Sequence, residues 1–317
     1  MIVWGAFIAI IIFFLALDLG VFNKKAHVIK TKEASIWTAI WVSVALAFSG
    51  VIYWLFSNGM VDNPTNLSPN TAMLKYITGY LIELSLSIDN VFVIAVIFSS
   101  FAIPDKYQHR VLFWGILGAI VFRGLMIVFG VALINKFDWI IYVFGVFLLY
   151  TAFKMLTSSD TEFDPKSSFV YKWLRKLFPI THKMDGDKFF IRRMGIRAAT
   201  PLFIALMIIE LTDILFALDS IPAILAITAD PFIVFSSNIL AILGLRSMYF
   251  LISRMLQKFR FINYSLVVIL SFVGIKMLLS HHVEIPEWLS LGIIGFSLVG
   301  GIVASLAIPS EEKVIEE

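Results

Sequence analysis

Tyr80-Leu-Ile-Glu83-Leu-Ser85-Leu-Ser87-Ile-Asp89-Asn90-Val-Phe is an apolar stretch that carries acid, and Glu210-Leu-Thr212-Asp213-Ile-Leu-Phe-Ala-Leu-Asp219-Ser220-Ile-Pro222 is a second. Placing Asp89 over Asp219 brings Glu83 onto Asp213 and Asn90 onto Ser220. Each stretch lies inside a run long enough to cross a bilayer, for which about 20 predominantly apolar residues suffice. A carboxylate near the middle of such a run costs roughly 2.5 to 3.5 kcal/mol on insertion scales, so an acid retained there points to function.

The rest of the chain has the composition of a membrane protein. Of its 317 residues 60% are hydrophobic and 15% charged, with a mean hydropathy of +0.92, whereas soluble domains carry about 25% charged residues. Apolar runs at 2–22, 35–56, 72–101, 110–134, 138–157, 199–228, 232–256, 261–280 and 287–308 predict an all-α polytopic protein of nine spans. That leaves no room for a separate soluble catalytic domain. Cysteine is absent, which excludes a disulfide framework and a thiolate metal site. The N-terminus lacks a basic leader and carries Asp18 where a small-residue cleavage site would fall, so it reads as an uncleaved helix.

Basic residues alternate between connectors. Lys24, Lys25, Lys30 and Lys32 follow the first span, none occurs over 58–70, Lys106 and Arg110 follow the third, and Lys136 stands alone after the fourth. The 158–198 loop holds nine, from Lys166 to Arg197; the 229–231 connector has none; Arg254, Lys258 and Arg260 follow; the His281–Glu287 connector has none. The positive-inside rule then predicts an outside N-terminus, with the long loop and the C-terminus in the cytoplasm. Most simply the basic loop is a topology determinant, with lipid or partner contact a lesser reading.

An internal repeat aligns spans 3–5 with spans 6–8. Beyond the acidic stretches it matches Arg123 with Arg246 and Lys154 with Lys276. Because spans 3 and 6 run in opposite directions under the assigned topology, the triplets are expected to be inverted copies, an arrangement in which transporters place a polar site near midplane. The chain divides into two N-terminal spans (1–71), repeat 1 (72–157), the loop (158–198), repeat 2 (199–280) and a last span with an acidic tail (281–317), all one transmembrane domain.

Glu83, Ser87 and Asn90 follow the i, i+4, i+7 spacing of one helical face, and Glu210 and Asp213 share another. Pro222 removes a backbone hydrogen bond, so a kink or unwinding is expected near Asp219. The predicted ligand set is Glu83, Asp89, Asp213 and Asp219, with Asn90, Glu210 and Ser220 beside them, converging on one site. Oxygen-only ligands suit Mg²⁺, Ca²⁺ or Mn²⁺ rather than Cu⁺ or thiolate-bound Zn²⁺. Clustered carboxylates in low dielectric exchange protons for metal, which suggests cation/proton antiport. Arg123 and Arg246 are expected to gate or to act as counter-charges, Lys154 and Lys276 to do the same or to snorkel, and Asp18 to add an acid to the pathway. The competing reading pairs these acids and bases with one another to fix helix packing alone. Glu210 aligns with Tyr80 and has no acidic twin, which makes it a candidate for breaking the symmetry of the site.

These residues resemble the TerC family of integral membrane proteins, including its Alx-like members. The matching segments include Gly79-Tyr-Leu-Ile-Glu83, Asp89-Asn-Val-Phe, Arg110-Val-Leu, Gly118-Ala-Ile-Val, Ala199-Thr-Pro-Leu, Asp219-Ser-Ile-Pro-Ala and Ala241-Ile-Leu-Gly-Leu-Arg-Ser-Met-Tyr. Leu84 departs from the pattern, standing where relatives often carry a basic residue. The resemblance implies a multi-pass protein of the bacterial inner membrane that exports Mn²⁺ or a similar divalent cation, in a family named for tellurite resistance. No prosthetic group, nucleic-acid partner or enzymatic activity is expected; the ion is the transported ligand, the bilayer the surroundings, and protons a candidate coupling ion. Two rival readings are a scaffold for a metal or tellurite stress-response complex and a membrane-embedded metal-dependent hydrolase. Against hydrolysis stands the recurrence of the acids in both halves.

Overall fold

The computed structural model describes residues 2–17, 30–63, 66–137, 139–157, 169–181, 184–193, 196–253, 261–280, 283 and 285–308. In order these form α1 (Ile2–Leu17), α2 (Thr31–Ser57), α3 (Pro69–Ser100), α4 (Asp105–Lys136), α5 (Ile140–Thr157), α6 (Phe169–Leu177), β1 (Phe190–Arg193), β2 (Ile196–Ala199), α7 (Pro201–Leu225), α8 (Pro231–Ile252), α9 (Ile262–Leu279) and α10 (Glu287–Ala307). Seven of them, α2, α3, α4, α5, α7, α8 and α10, are long and apolar enough to cross a membrane; α1 and α9 are shorter apolar helices.

Local sequence sets the starts. Ser68 accepts from Thr71 N–H at 3.2 Å ahead of Pro69, and Asp230 accepts from Phe232 and Ile233 N–H at 3.0 Å each ahead of Pro231. A side-chain acceptor at the cap followed by proline satisfies donors that the first turn leaves open. The long basic loop, predicted only as a connector, contains α6 and the β1–β2 hairpin. The unwinding expected as one outcome near Asp219 is absent: α7 stays helical through Pro222 to Leu225. Pro222 lies in the last turn, where the hydrogen bond it removes has little helix beyond it to disturb.

α3 sits centrally, against α2, α7, α8 and α10; α4 packs on α7 and α8, and α5 on α9. α3 and α7 run antiparallel: Lys75 near the start of α3 donates to Ile227 O just beyond α7 at 2.6 Å. So do α4 and α8, since Tyr249 Oη donates to Gln108 Oε1 at 3.0 Å. In the α5–α9 pair, a Cβ built on Gly145 would lie 3.0 Å from Gly274 O, and one on Gly274 would lie 3.0 Å from Gly145 O. Leu149 and Leu278 flank this crossing reciprocally. The crossing thus pairs Gly145 with Gly274, whereas sequence alignment pairs Gly274 with Ala152. We expect Gly274→Val to cost about 1–3 kcal/mol by forcing the backbones apart; thermal melting in detergent checks it.

Large apolar side chains that face outward, such as Leu125, Val128 and Phe129 of α4 and Phe296 of α10, are 64–82% exposed. An apolar girdle of this extent belongs against lipid. α10, the last helix, is pinned at its first residue: Glu287 bridges Lys75 and Lys276 at 3.2 Å each, and Lys276 also reaches Ser290 at 3.0 Å.

Candidate cation site in the helix bundle

Glu83, Ser87 and Asn90 lie on one face of α3 and are all buried. Facing them from α4 is Arg123, 1% exposed. Its Nε donates to Asp213 Oδ2 at 3.2 Å and its Nη2 to Asp213 Oδ1 at 2.8 Å, a forked pair. Its Nη1 donates to Glu83 Oε1 and, at 3.4 Å, to Asn238 Oδ1 of α8. Asn90 Nδ2 donates to Asp213 Oδ1 at 3.2 Å. The two acids that align in the sequence, Glu83 and Asp213, therefore meet on one guanidinium.

Beside this clasp lies a cavity of about 290 Å³, bounded by Asn90, Arg123, Thr151, Lys154, Asp219 and Ser220. Thr151 Oγ1 donates to Asp219 Oδ1 at 3.0 Å. Ser220 Oγ and Asn90 Oδ1 are buried and make no hydrogen bond among the described residues, as is the case for Glu83 Oε2 and Ser87 Oγ in the adjoining face. These are oxygen acceptors, the chemistry that a hard cation uses. Counting Glu83, Asp213 and Asp219 against Arg123 and Lys154 leaves one formal negative charge among the described side chains.

Other predicted site residues lie apart. Glu210 presses on the bare Cα of Gly118 in α4, where an added Cβ would collide with both of its carboxyl oxygens, and its Oε2 makes no hydrogen bond among the described residues. Only glycine leaves space for that carboxyl, so Gly118→Ala is expected to displace Glu210 and lower stability by about 1–3 kcal/mol, read as a melting shift that Glu210→Ala suppresses. Arg246 borders a small cavity of about 20 Å³ with Asn90 and Asp213. Lys276 serves Glu287 and not the cavity. The Asp89 side chain and Asp18 lie outside the described residues. Among the described residues no group of three His, Cys, Asp or Glu comes together as a ready metal nest. The acids are instead distributed: Glu83 and Asp213 on Arg123, Asp219 on Thr151, Glu210 on Gly118.

Two participants lie outside the predicted set. Asn238 is a fully buried amide within a predicted span, a signal as legible as Asn90. Thr151 stands three residues before Lys154, hence on the same face of α5, but threonine is common in membrane helices and gives little away alone.

A bundle of long apolar helices with an ion-paired, acid-rich interior defines a multi-pass integral membrane protein. The family model described as integral membrane protein TerC family matches residues 68–313, and the chain belongs to that family. It is 50% identical over 303 residues to an uncharacterized membrane protein of Myxococcus xanthus, covering 96% of this chain and 91% of the relative. It is 44% identical over 292 residues to the Escherichia coli K12 protein named "Putative membrane-bound redox modulator Alx", covering 92% and 90%. A membrane protein of Rickettsia bellii is 43% identical over 303 residues, 96% of each chain. No solved structure gives a significant match.

Proposed function

We propose that the protein is a secondary transporter that exports a divalent cation, foremost Mn²⁺, across the bacterial inner membrane by alternating access, with proton exchange as the coupling. The observation that carries this reading is the cavity between α3, α4, α5 and α7, bordered by Asp219, Asn90 and Ser220 and adjoining a clasp with more acid than base. The antiparallel pairing of α3 with α7 and of α4 with α8, with the close crossing of α5 and α9, supports two inverted three-helix repeats around that cavity. Counting α1 and α9 with the seven longer helices would give nine spans, and the distribution of basic residues would then put the N-terminus outside and the C-terminus in the cytoplasm. In this scheme Asp219, Asn90, Ser220 and Asp89 hold the ion, Glu83 and Asp213 set the local charge, and Arg123 releases or retains them as the bundle rocks.

A second reading, a membrane scaffold whose acids are structural, draws on the Glu83–Arg123–Asp213 clasp itself, which satisfies two of the acids without any ion. The redox wording in the name of the relatives finds no thiol in this chain to act through. Purified protein in liposomes separates the two readings. Mn²⁺ flux above protein-free liposomes is expected, responding to an imposed pH gradient under voltage clamp and competed by ions in the order of their oxygen-ligand preference. Absence of flux refutes transport, and flux indifferent to the pH gradient refutes the coupling.

A further inference from the structure

The loop between α5 and α7 folds into a platform at one end of the bundle. That end gathers the starts of α2 and α7 and the ends of α3 and α8, since Ala34, Ile97, Ile103, Ala199, Leu202 and Ile252 share one buried cluster. The platform is attached firmly. Tyr171 of α6 meets Phe101 at 5.9 Å between ring centres, and Phe178, Phe190 and Phe203 pack together at 4.4 to 6.1 Å. Ala199 N–H donates to Pro179 O and Thr181 N–H to Ala199 O, while Thr200 N–H donates to Phe189 O. The first turn of α7 is therefore held by this platform.

Its outer surface is cationic and apolar at once. Trp173 and Leu177, one helical turn apart on α6, are 50% and 52% exposed. Lys172, Arg175 and Lys176 are exposed beside that pair on the same helix, which has no acidic residue. None of the three makes an ion pair among the described residues, whereas the nearby acids Asp185 and Asp187 are engaged by Lys188 and Arg110. In the hairpin, Arg192 and Arg197 are direct cross-strand partners, and both are exposed. Like charges placed opposite each other destabilise a strand pair unless an anion lies between or over them. At the same end of the bundle a groove of about 370 Å³ at the start of α2 combines Lys30, Lys32 and one acid, Glu33, with Ile36, Trp37 and Ile40.

From this surface we infer that α6 and the hairpin form a docking site for anionic phospholipid. Trp173 and Leu177 enter the headgroup boundary, and Lys172, Arg175, Lys176, Arg192 and Arg197 take the lipid phosphates. The charge pattern selects an anion, and the apolar stripe beside it, set at the end of the spanning helices, selects a membrane surface over a soluble one. Bound lipid would thereby fix the platform and, through Thr200 and Ala199, the start of the helix that carries Asp213 and Asp219. The docking itself does not depend on the transport reading.

Native mass spectrometry of the full chain, given an equimolar mixture of phosphatidylglycerol and phosphatidylcholine in mild detergent, tests the assignment. Wild type is expected to retain phosphatidylglycerol in preference, with the preference falling as salt is raised. The Lys172→Gln/Arg175→Gln/Lys176→Gln variant is expected to lose about ten-fold or more of that preference, while Lys136→Gln at the opposite end keeps it. Trp173→Ala/Leu177→Ala should reduce retention of both lipids. An unchanged preference in the triple variant with an intact helical circular dichroism spectrum overturns the proposal. So does displacement of the lipid by glycerol phosphate at equal concentration, which would make the site one for a soluble anion. Capture of an acidic soluble protein by wild type with no lipid preference would overturn it as well.

Discussion

Replacing Arg123 with glutamine is expected to destabilise the protein by about 3–5 kcal/mol, among the largest effects a single change here can have. The guanidinium is 1% exposed and neutralises Glu83, which is fully buried, together with Asp213. Glutamine removes the charge and the fork, so Asn90 is left as a neutral partner of Asp213 and two buried carboxylates lose their shared cation. They must then take up protons or open the packing, and either costs stability. Arg123→Lys is expected to fall between wild type and Arg123→Gln, because an ammonium keeps the charge but cannot hold both oxygens of Asp213 in the plane of a guanidinium. The double variant Glu83→Gln/Arg123→Gln should lose less than the two single losses added together, since removing both partners leaves less uncompensated charge. Melting of the four proteins in one detergent measures this. Simple additivity would mean that Glu83 and Arg123 do not depend on each other.

The clasp also marks the boundary of what the sequence makes legible. Acid inside an apolar run is costly wherever the run folds, so Glu83, Asp213 and Asp219 stand out from the residue order alone, and so does the family to which they belong. Which acid meets which base is not legible there, because that depends on helix rotation and crossing, and a rotation of one residue moves a side chain by about 100°. Arg123 and Arg246 align in the sequence, yet Arg123 binds both aligned acids while Arg246 borders a separate small cavity. Lys154 and Lys276 align too, yet Lys154 borders the main cavity and Lys276 is committed to Glu287 of α10. Pro222 is legible as a helix breaker, but its consequence depends on how much helix follows it, and only three residues do. The β1–β2 hairpin is not legible because four-residue strands rich in arginine carry too little alternation to register.

The second large effect is expected at Asp219. Asp219→Asn should reduce Mn²⁺ flux in liposomes at least about ten-fold, equivalent to about 1.4 kcal/mol or more in ion binding, while leaving the melting temperature nearly unchanged. Asparagine is nearly isosteric and keeps an oxygen to accept the 3.0 Å hydrogen bond from Thr151, so the packing of α5 against α7 survives. What disappears is one unit of negative charge at the cavity wall, and with it the formal excess of acid over Arg123 and Lys154. Thr151→Val makes the opposite cut: it removes the donor and keeps the charge, and so should lower flux only a few-fold. Lys154→Met removes a competing cation from the same wall and should lower the Mn²⁺ concentration needed for half-maximal flux, a change in the direction opposite to Asp219→Asn. A scaffold whose acids serve only packing predicts none of these flux differences and places the damage in assembly or abundance. Equal flux in wild type, Asp219→Asn and Lys154→Met would therefore remove the cavity from the transport path and leave the Arg123 clasp as a structural device alone.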